Sequence, residues 1–166
     1  MEIREGGLDD PRVTDLLHLH AAGMLANSPA ESCHFLDLSG LRTPDVGFWS
    51  AWDGNTLLGI GAMRQLDAAH GEIKSMRTAP EHLGKGVGAA ILARILEAAR
   101  ARGYRRLSLE TGSSPAFDAA HALYRKHGFV PCSAFGGYPA DDPFSRFMTR
   151  ILPDDIDAVL PTKGVV

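Results

Sequence analysis

The chain has 166 residues, of which 45% are hydrophobic and 22% are charged, and its formal net charge at pH 7 is −3. This length suits one domain with a substantial core, and the weakly acidic balance provides no basic footprint for nucleic acid. We find no signal-peptide pattern at the N-terminus and no apolar run near the roughly 20 residues of a membrane span. Cys33 and Cys132 show no metal-site or disulfide spacing. We therefore expect a cytoplasmic protein that binds neither nucleic acid, membrane nor metal.

The N-terminal third of the sequence predicts one strand and two helices. A short strand is expected at residues 1–5, followed by a helix over 11–26 that starts at Pro11. Ser28-Pro29 breaks this helix, and a short second helix is expected near 34–40.

Three strands with short links follow, which predicts an antiparallel meander. The first two flank a turn at Asp53-Gly54-Asn55, and the third starts near His70 and ends before Pro80. Trp49 and Trp52 are expected on opposite faces of the first of these strands, so that at most one of them is in the core.

The C-terminal half predicts helices and strands in alternation. We expect a helix over 84–102, a strand over 104–111, a helix over 115–127, and final strands over 129–135 and 144–152. The third meander strand, the long helix and the strand after it form one β-α-β unit, which places those two strands parallel.

Glycines Gly84, Gly86 and Gly88 stand at the start of the long helix, where free amides and the helix dipole favour an anion such as phosphate. A Walker A loop is excluded because Lys85 is followed by glycine, not by Ser or Thr. A dinucleotide fingerprint fits Gly84, Gly86 and Ala89, but such a motif normally follows the first strand of a parallel sheet. A plain tight helix entry is the remaining structural alternative.

The sequence from 79 to 112, together with AAHALYRKHGF at 119–129, resembles the GCN5-related N-acetyltransferase (GNAT) superfamily, including small stand-alone bacterial members. The family's Q/R-x-x-G-x-G/A loop falls on 83–88, where Gly86 and Gly88 match and Leu83 departs from Gln or Arg. The resemblance implies an α/β (α+β) fold. Its central sheet of about seven strands is mixed and mostly antiparallel, with helices on both faces and one parallel β-α-β unit. Residues 1–152 would be a single domain and 153–166 a C-terminal tail.

The resemblance also implies a transferase that uses acetyl-coenzyme A (acetyl-CoA) to acetylate an amine by direct attack. A non-catalytic domain that binds or senses acyl-CoA is the alternative with the same fold. The implied coenzyme contacts are Met76, Arg77, Thr78, Gly84, Lys85, Gly86, Val87, Gly88, Ala89 and Tyr124.

Three residues are the candidates for proton transfer. By resemblance, Tyr124 is the general acid, or hydrogen-bond donor, for the coenzyme sulfur, although a tyrosine packed at a helix edge would look the same. Glu72 occupies the position of the family's base glutamate, and its structural alternative is a solvent-exposed strand glutamate that faces Lys74 or a nearby arginine. Glu110 is the second candidate base, and it could instead contact substrate.

The acyl acceptor is expected between the loop after the first helix and the last hairpin, as is usual in this fold. The candidate substrate contacts are Glu31, Ser32, His34 and Tyr138, and the acidic residues Glu31, Asp141 and Asp142 would suit a cationic amine. Sheet edges and phenylalanines near the last hairpin make a homodimer plausible. The sequence does not identify the acceptor.

Overall fold

A computed structural model describes residues 1–153, so the predicted C-terminal tail lies outside the described residues except for its first one. The strands are β1 (Glu2–Glu5), β2 (Val46–Asp53), β3 (Thr56–Asp67), β4 (His70–Thr78), β5 (Arg106–Gly112), β6 (Val130–Pro131) and β7 (Ser145–Ile151). They form one seven-stranded sheet in the order β1-β2-β3-β4-β5-β7-β6. Only the β4–β5 pair is parallel, which confirms the predicted mixed sheet with a single β-α-β unit.

The helices cover both faces of this sheet, as predicted. They are α1 (Pro11–Asn27), α2 (Leu38–Leu41), α3 (Val87–Ala101) and α4 (Asp118–Lys126). Helix α1 buries Val13 and Leu16 in a core on one face, and its N-terminus is capped by the Asp10 carboxylate, 2.9 Å from the amide of Arg12. Helix α3 buries the stripe Val87, Ile91, Leu92, Ile95, Leu96 and Ala99 in the core on the other face.

The prediction that at most one of the two tryptophans is buried was wrong. Trp49 is 1% exposed and Trp52 is 3% exposed, and they belong to different cores. The two side chains do alternate across β2, but side chains pack on both faces of this strand, so both rings are excluded from water.

Four predicted elements are shorter in the structure. The short helix predicted near 34–40 is the single turn Leu38–Leu41. The predicted helix over 84–102 starts at Val87, because Gly84 and Gly86 have φ angles of +75° and +79° and are not helical. The predicted strand over 129–135 is reduced to Val130–Pro131, after which one more amide, that of Cys132, donates a hydrogen bond of 3.0 Å to the carbonyl of Phe147. The predicted helix over 115–127 consists of a 3-10 turn, Pro115–Phe117, followed by α4.

Strands β4 and β5 separate halfway along their length. Their parallel pairing runs from His70↔Arg106 to Ile73↔Leu109 and stops there. The register with β3 also shifts at this point, because Ala62 faces Lys74 whereas Ile60 faces Arg77. Ser75 lies in this gap with a φ of +55°. The sheet is therefore open at its centre, between the C-terminal halves of its two parallel strands.

Candidate active site

A cleft of about 500 Å³ lies between the separated end of β4 and helices α3 and α4. Nine of the ten predicted coenzyme contacts line this cleft: Met76, Arg77, Thr78, Gly84, Gly86, Val87, Gly88, Ala89 and Tyr124. Lys85 does not, and its ammonium is 3.1 Å from Nδ1 of His82 on the exposed side of the loop. The separated strand, the glycine loop and α4 therefore share one cleft.

The glycine loop presents bare backbone to this cleft. A Cβ at Gly84 or at Gly86 would meet no heavy atom within 4 Å, so both positions face open space. Gly86 is also the N-cap of α3 and offers no side chain to the first-turn amides. Those amides, together with the positive end of the helix dipole, form a site suited to an anion.

The opposite wall of the cleft includes three alanines beside larger residues of α4. Helix α4 and the turn before it contribute Ala116, Ala119 and Ala120. A Cβ at Gly88 would lie 3.1 Å from Cδ2 of Leu123, so glycine lets α3 approach α4 closely. Lys126 lines the same cleft and adds a positive charge.

A second, smaller cavity of about 90 Å³ adjoins the cleft in the opening between β4 and β5. The two spaces share Met76, Ala120 and Tyr124 in their walls. The polar groups around the smaller cavity are His20, His34, Lys74, Ser75, Glu110 and Thr111. One space therefore has an anion-binding loop, the other has titratable side chains, and Tyr124 lies where they meet.

Tyr124 is almost completely buried, with 4% of its surface exposed. Its ring packs edge-on against Phe129 at 5.6 Å between centroids. Burial raises the pKa of the Tyr124 hydroxyl, so the group stays protonated at physiological pH. Tyr124 lines both the cleft and the smaller cavity, so a ligand that occupies either space would lie beside it.

Of the two candidate bases, only Glu110 lines the cavity. Its Oε1 accepts a hydrogen bond of 2.9 Å from the Ser145 hydroxyl, and burial raises its pKa. A carboxylate with a raised pKa is a better proton acceptor than an exposed glutamate.

Glu72 is fully buried and lines neither the cleft nor the cavity. Its carboxylate accepts hydrogen bonds from Arg64, at 2.8 Å, and from the Tyr138 hydroxyl. Nζ of Lys74 lies 3.5 Å away. The structural alternative considered for Glu72, an ion pair with Lys74 and an arginine, is therefore present, but in a buried setting.

The predicted acceptor residues are placed differently from one another. His34 lines the cavity, and its ring packs edge-on against Tyr138 at 5.0 Å. Tyr138 lines an adjoining recess together with His34 and Lys74. Ser32 is buried, and its hydrogen bond lowers the pKa of Asp142, which ties the two acceptor loops together. Glu31 is exposed and lines neither space.

The sequence analysis missed His20, which lines the cavity from α1. Its Nδ1 accepts a hydrogen bond of 3.2 Å from Nε of Arg77. Burial lowers its pKa to about 4, and the positive charges of Arg77 and Lys74 act in the same direction. The spacing Val13, Leu16, His20 would have placed this histidine on the buried face of the helix.

The described part of the chain, residues 1–153, contains no helix that is long and apolar enough to span a bilayer. Over the same residues, no three His, Cys, Asp or Glu side chains form a group that could hold a metal ion.

Comparison with known proteins agrees with this architecture. The model of the acetyltransferase (GNAT) family matches residues 14–129. The uncharacterised N-acetyltransferase YedL of Escherichia coli is 51% identical over 150 residues, which cover 90% of this chain and 94% of that protein.

Solved structures show the same fold. A Klebsiella pneumoniae protein assigned as an acyl-CoA N-acyltransferase superimposes with a TM-score of 0.77 at 30% identity, covering 91% of this chain and 97% of that chain. A GNAT family acetyltransferase from Elizabethkingia anophelis with acetyl-CoA bound gives a TM-score of 0.64 at 21% identity, covering 91% and 97%. On the family match and this level of identity, the chain belongs to the GNAT family and is an N-acetyltransferase.

Proposed function

We propose that this protein transfers the acetyl group of acetyl-CoA to a primary amine, on a small molecule or an exposed peptide, by direct attack on the thioester. The observation that carries the proposal is the junction of two spaces at Met76 and Tyr124. A glycine loop suited to phosphate lines one space, and a carboxyl group with a raised pKa lines the other.

The coenzyme is assigned to the larger cleft. Its pyrophosphate, a compact anion, would lie against the amides that follow Gly84 and Gly86. Its pantetheine arm would pair with the free edge of β4 from Met76 to Thr78, which β5 leaves unpaired. The GNAT relative with bound acetyl-CoA supports this choice of donor.

The amine is assigned to the smaller cavity. Glu110 would take one proton from the ammonium group, which frees the nitrogen lone pair to attack the thioester carbonyl carbon. The backbone of Met76 lies in the register gap of β4 and is the candidate contact for the oxyanion that forms. As the carbon–sulfur bond breaks, Tyr124 donates its proton to the departing thiolate. The nitrogen then loses its second proton to solvent water, which returns a proton to the Tyr124 oxygen.

Glu72 acts in this scheme as a positioning residue. It holds Tyr138 and Lys74, and Lys74 in turn donates a hydrogen bond of 2.6 Å to the carbonyl of His34. The buried network thus connects β4 to both loops around the acceptor cavity. A contact of Glu31 with the acceptor, and a homodimer, stay predictions.

Calorimetric titration with acetyl-CoA, free CoA and NAD tests the coenzyme assignment, and thiol release with a panel of primary amines tests turnover. We expect binding of both CoA ligands, no binding of NAD, and amine-dependent thiol release. Binding without release for any amine would favour the acyl-CoA sensor. Absence of CoA binding by folded protein would leave the glycines as a helix entry only.

A further inference from the structure

Ser75 combines two unfavourable features at the edge of the acceptor cavity. Its φ of +55° lies in the left-handed region, and Ser75 is the only non-glycine residue of the described 1–153 with a positive φ. Only 7% of the residue is exposed, and its buried hydroxyl has no hydrogen-bond partner among those residues. An unpaired buried hydroxyl and a left-handed serine both cost stability, and such strain concentrates at functional sites.

His34 brings a second unpartnered polar atom to the same cavity. Its Nε2 is buried and has no hydrogen-bond partner within residues 1–153. Both Ser75 and His34 line the cavity that contains Glu110. Buried polar groups normally have partners, so two orphaned atoms in one cavity indicate a ligand that supplies them.

The neighbouring charged group is already occupied. Nζ of Lys74 is 2.6 Å from the carbonyl oxygen of His34, 2.8 Å from the Tyr138 hydroxyl and 3.5 Å from Glu72. Two of the three ammonium hydrogens form these short hydrogen bonds, and the charge is paired with the Glu72 carboxylate. Among the polar groups that line this cavity, the Ser75 hydroxyl and Nε2 of the His34 imidazole are the buried atoms without a hydrogen-bond partner within residues 1–153.

We infer that Ser75 Oγ and His34 Nε2 form a subsite for an oxygen atom that the acyl acceptor carries close to its amine. A hydroxyl or carboxylate oxygen can accept hydrogen bonds from Oγ–H and from Nε2–H together. The acceptor class is then a small amino alcohol or amino acid and not a plain alkylamine. This inference rests on the proposed function, because it places the amine at Glu110 in the same cavity.

Two pairs of amines with equal numbers of heavy atoms test the inference. Ethanolamine is compared with propylamine, and glycine with isobutylamine, so that oxygen replaces carbon at similar size. The kcat/KM of each is measured by thiol release, and the affinity of each is measured by titration into the CoA complex, which cannot transfer an acetyl group. The oxygen atom would gain one or two hydrogen bonds. We therefore expect the kcat/KM and the affinity of the oxygen-bearing amine to exceed those of its carbon partner by about tenfold in at least one pair.

The variants Ser75→Gly and Ser75→Ala remove the hydroxyl, and Ser75→Gly also relieves the backbone strain, so it is expected to fold. Both variants, and His34→Ala, are expected to lower the ratio of kcat/KM, and the ratio of affinity, of the oxygen-bearing amine over its carbon partner. Ser114→Ala is the matched control, because the Ser114 hydroxyl is also buried without a partner in the described chain but lines neither space.

The outcomes separate this inference from the proposed function. A Ser75-dependent preference in affinity without any acetylation would keep the subsite and refute the reaction. Acetylation with no oxygen preference, or with a preference that persists in Ser75→Gly, would keep the reaction and refute the subsite. Failure of all four amines to bind the CoA complex would also overturn the subsite.

Discussion

The cleft and the cavity that meet at Tyr124 are built in different ways. The cleft draws its bare backbone from the glycine loop at 84–88, and its opposite wall includes three alanines. The cavity draws its polar groups from α1, the loop after it, β4 and β5, with α4 closing one side. Bare backbone therefore characterises the first space, and side chains characterise the second.

This difference decides how each space can be disrupted. Where backbone amides make the contacts, removing a side chain changes little. Binding in the cleft is therefore disrupted by adding a larger side chain. In the cavity, replacing a single functional group by an isosteric one is sufficient. The predictions below follow this rule, and each includes a control that separates function from stability.

The largest effect is expected from Glu110→Gln in the cavity. Loss of a general base lowers kcat/KM by about a thousandfold, while acetyl-CoA affinity stays unchanged. Because burial raises the pKa of Glu110, the activity of the unmodified protein falls as pH drops through a value above the ordinary glutamate pKa of 4.5. This acidic limb should vanish in Glu110→Gln.

Glu72→Gln is the informative counterpart to that variant. Glu72 compensates the charges of Arg64 and Lys74, so its substitution should lower the free energy of unfolding and leave the acidic limb in place. If Glu72→Gln removed the limb and Glu110→Gln did not, the base would be Glu72.

His20, in the wall of the cavity, should make stability depend on pH. Its pKa is about 4 in the folded protein against 6.5 as the ordinary value, so the unfolded chain binds the extra proton first as pH falls. The stability of the fold with neutral His20 is therefore fully present above pH 6.5. About 3 kcal/mol of the free energy of unfolding is lost as the pH falls to 4.

Urea unfolding between pH 7 and pH 4 measures this loss. We expect His20→Asn, which cannot titrate but can still accept the Arg77 hydrogen bond, to show a shallower decline. His18→Asn, at an exposed position of the same helix, is the control. Parallel declines in the unmodified protein and His20→Asn would show that His20 does not titrate on unfolding.

In the cleft, Gly86→Val should weaken acetyl-CoA binding by about a hundredfold, because a β-branched residue is strained at positive φ and fills open space beside the amides. Gly54→Val is a close control: Gly54 has a φ of +56°, and a Cβ there also meets nothing within 4 Å, but it lies in the β2–β3 turn. Calorimetry should find normal affinity in Gly54→Val. Equal losses in both variants would attribute the effect to backbone strain alone.

At the junction, Tyr124→Phe should lower kcat by about a hundredfold and leave coenzyme affinity unchanged, because the proton donor to the departing thiolate is lost. Tyr104→Phe is the control, since Tyr104 is equally buried and lines neither space. A normal turnover number in Tyr124→Phe, with chemistry limiting, would remove Tyr124 from the acid role.

The same difference explains what could be predicted from the sequence. The glycine loop, the sheet and the crossover helix follow from local patterns, so their placement around one cleft was foreseeable. The cavity depends on where α1, β4 and β5 meet, and nothing local connects His20 or Ser75 to Glu110. Glu72 shows the limit most clearly, because the sequence left its two alternatives equal until its burial with Arg64 and Lys74 was known.

The smallest effect, and the one with the opposite sign, is expected at Ser75. Ser75→Gly removes a left-handed non-glycine conformation and an unpaired buried hydroxyl together, so the free energy of unfolding should rise by about 1 kcal/mol. Ser75→Ala removes the hydroxyl but keeps the strain, and it should gain less. Urea unfolding of the three proteins measures both contributions. If Ser75→Gly were less stable than the unmodified protein, the serine side chain would stabilise the fold through packing. Its left-handed conformation would then not be a net destabilising feature that is kept for substrate binding. A gain in stability combined with loss of the oxygen preference would instead identify Ser75 as a residue at which the fold gives up stability for acceptor recognition.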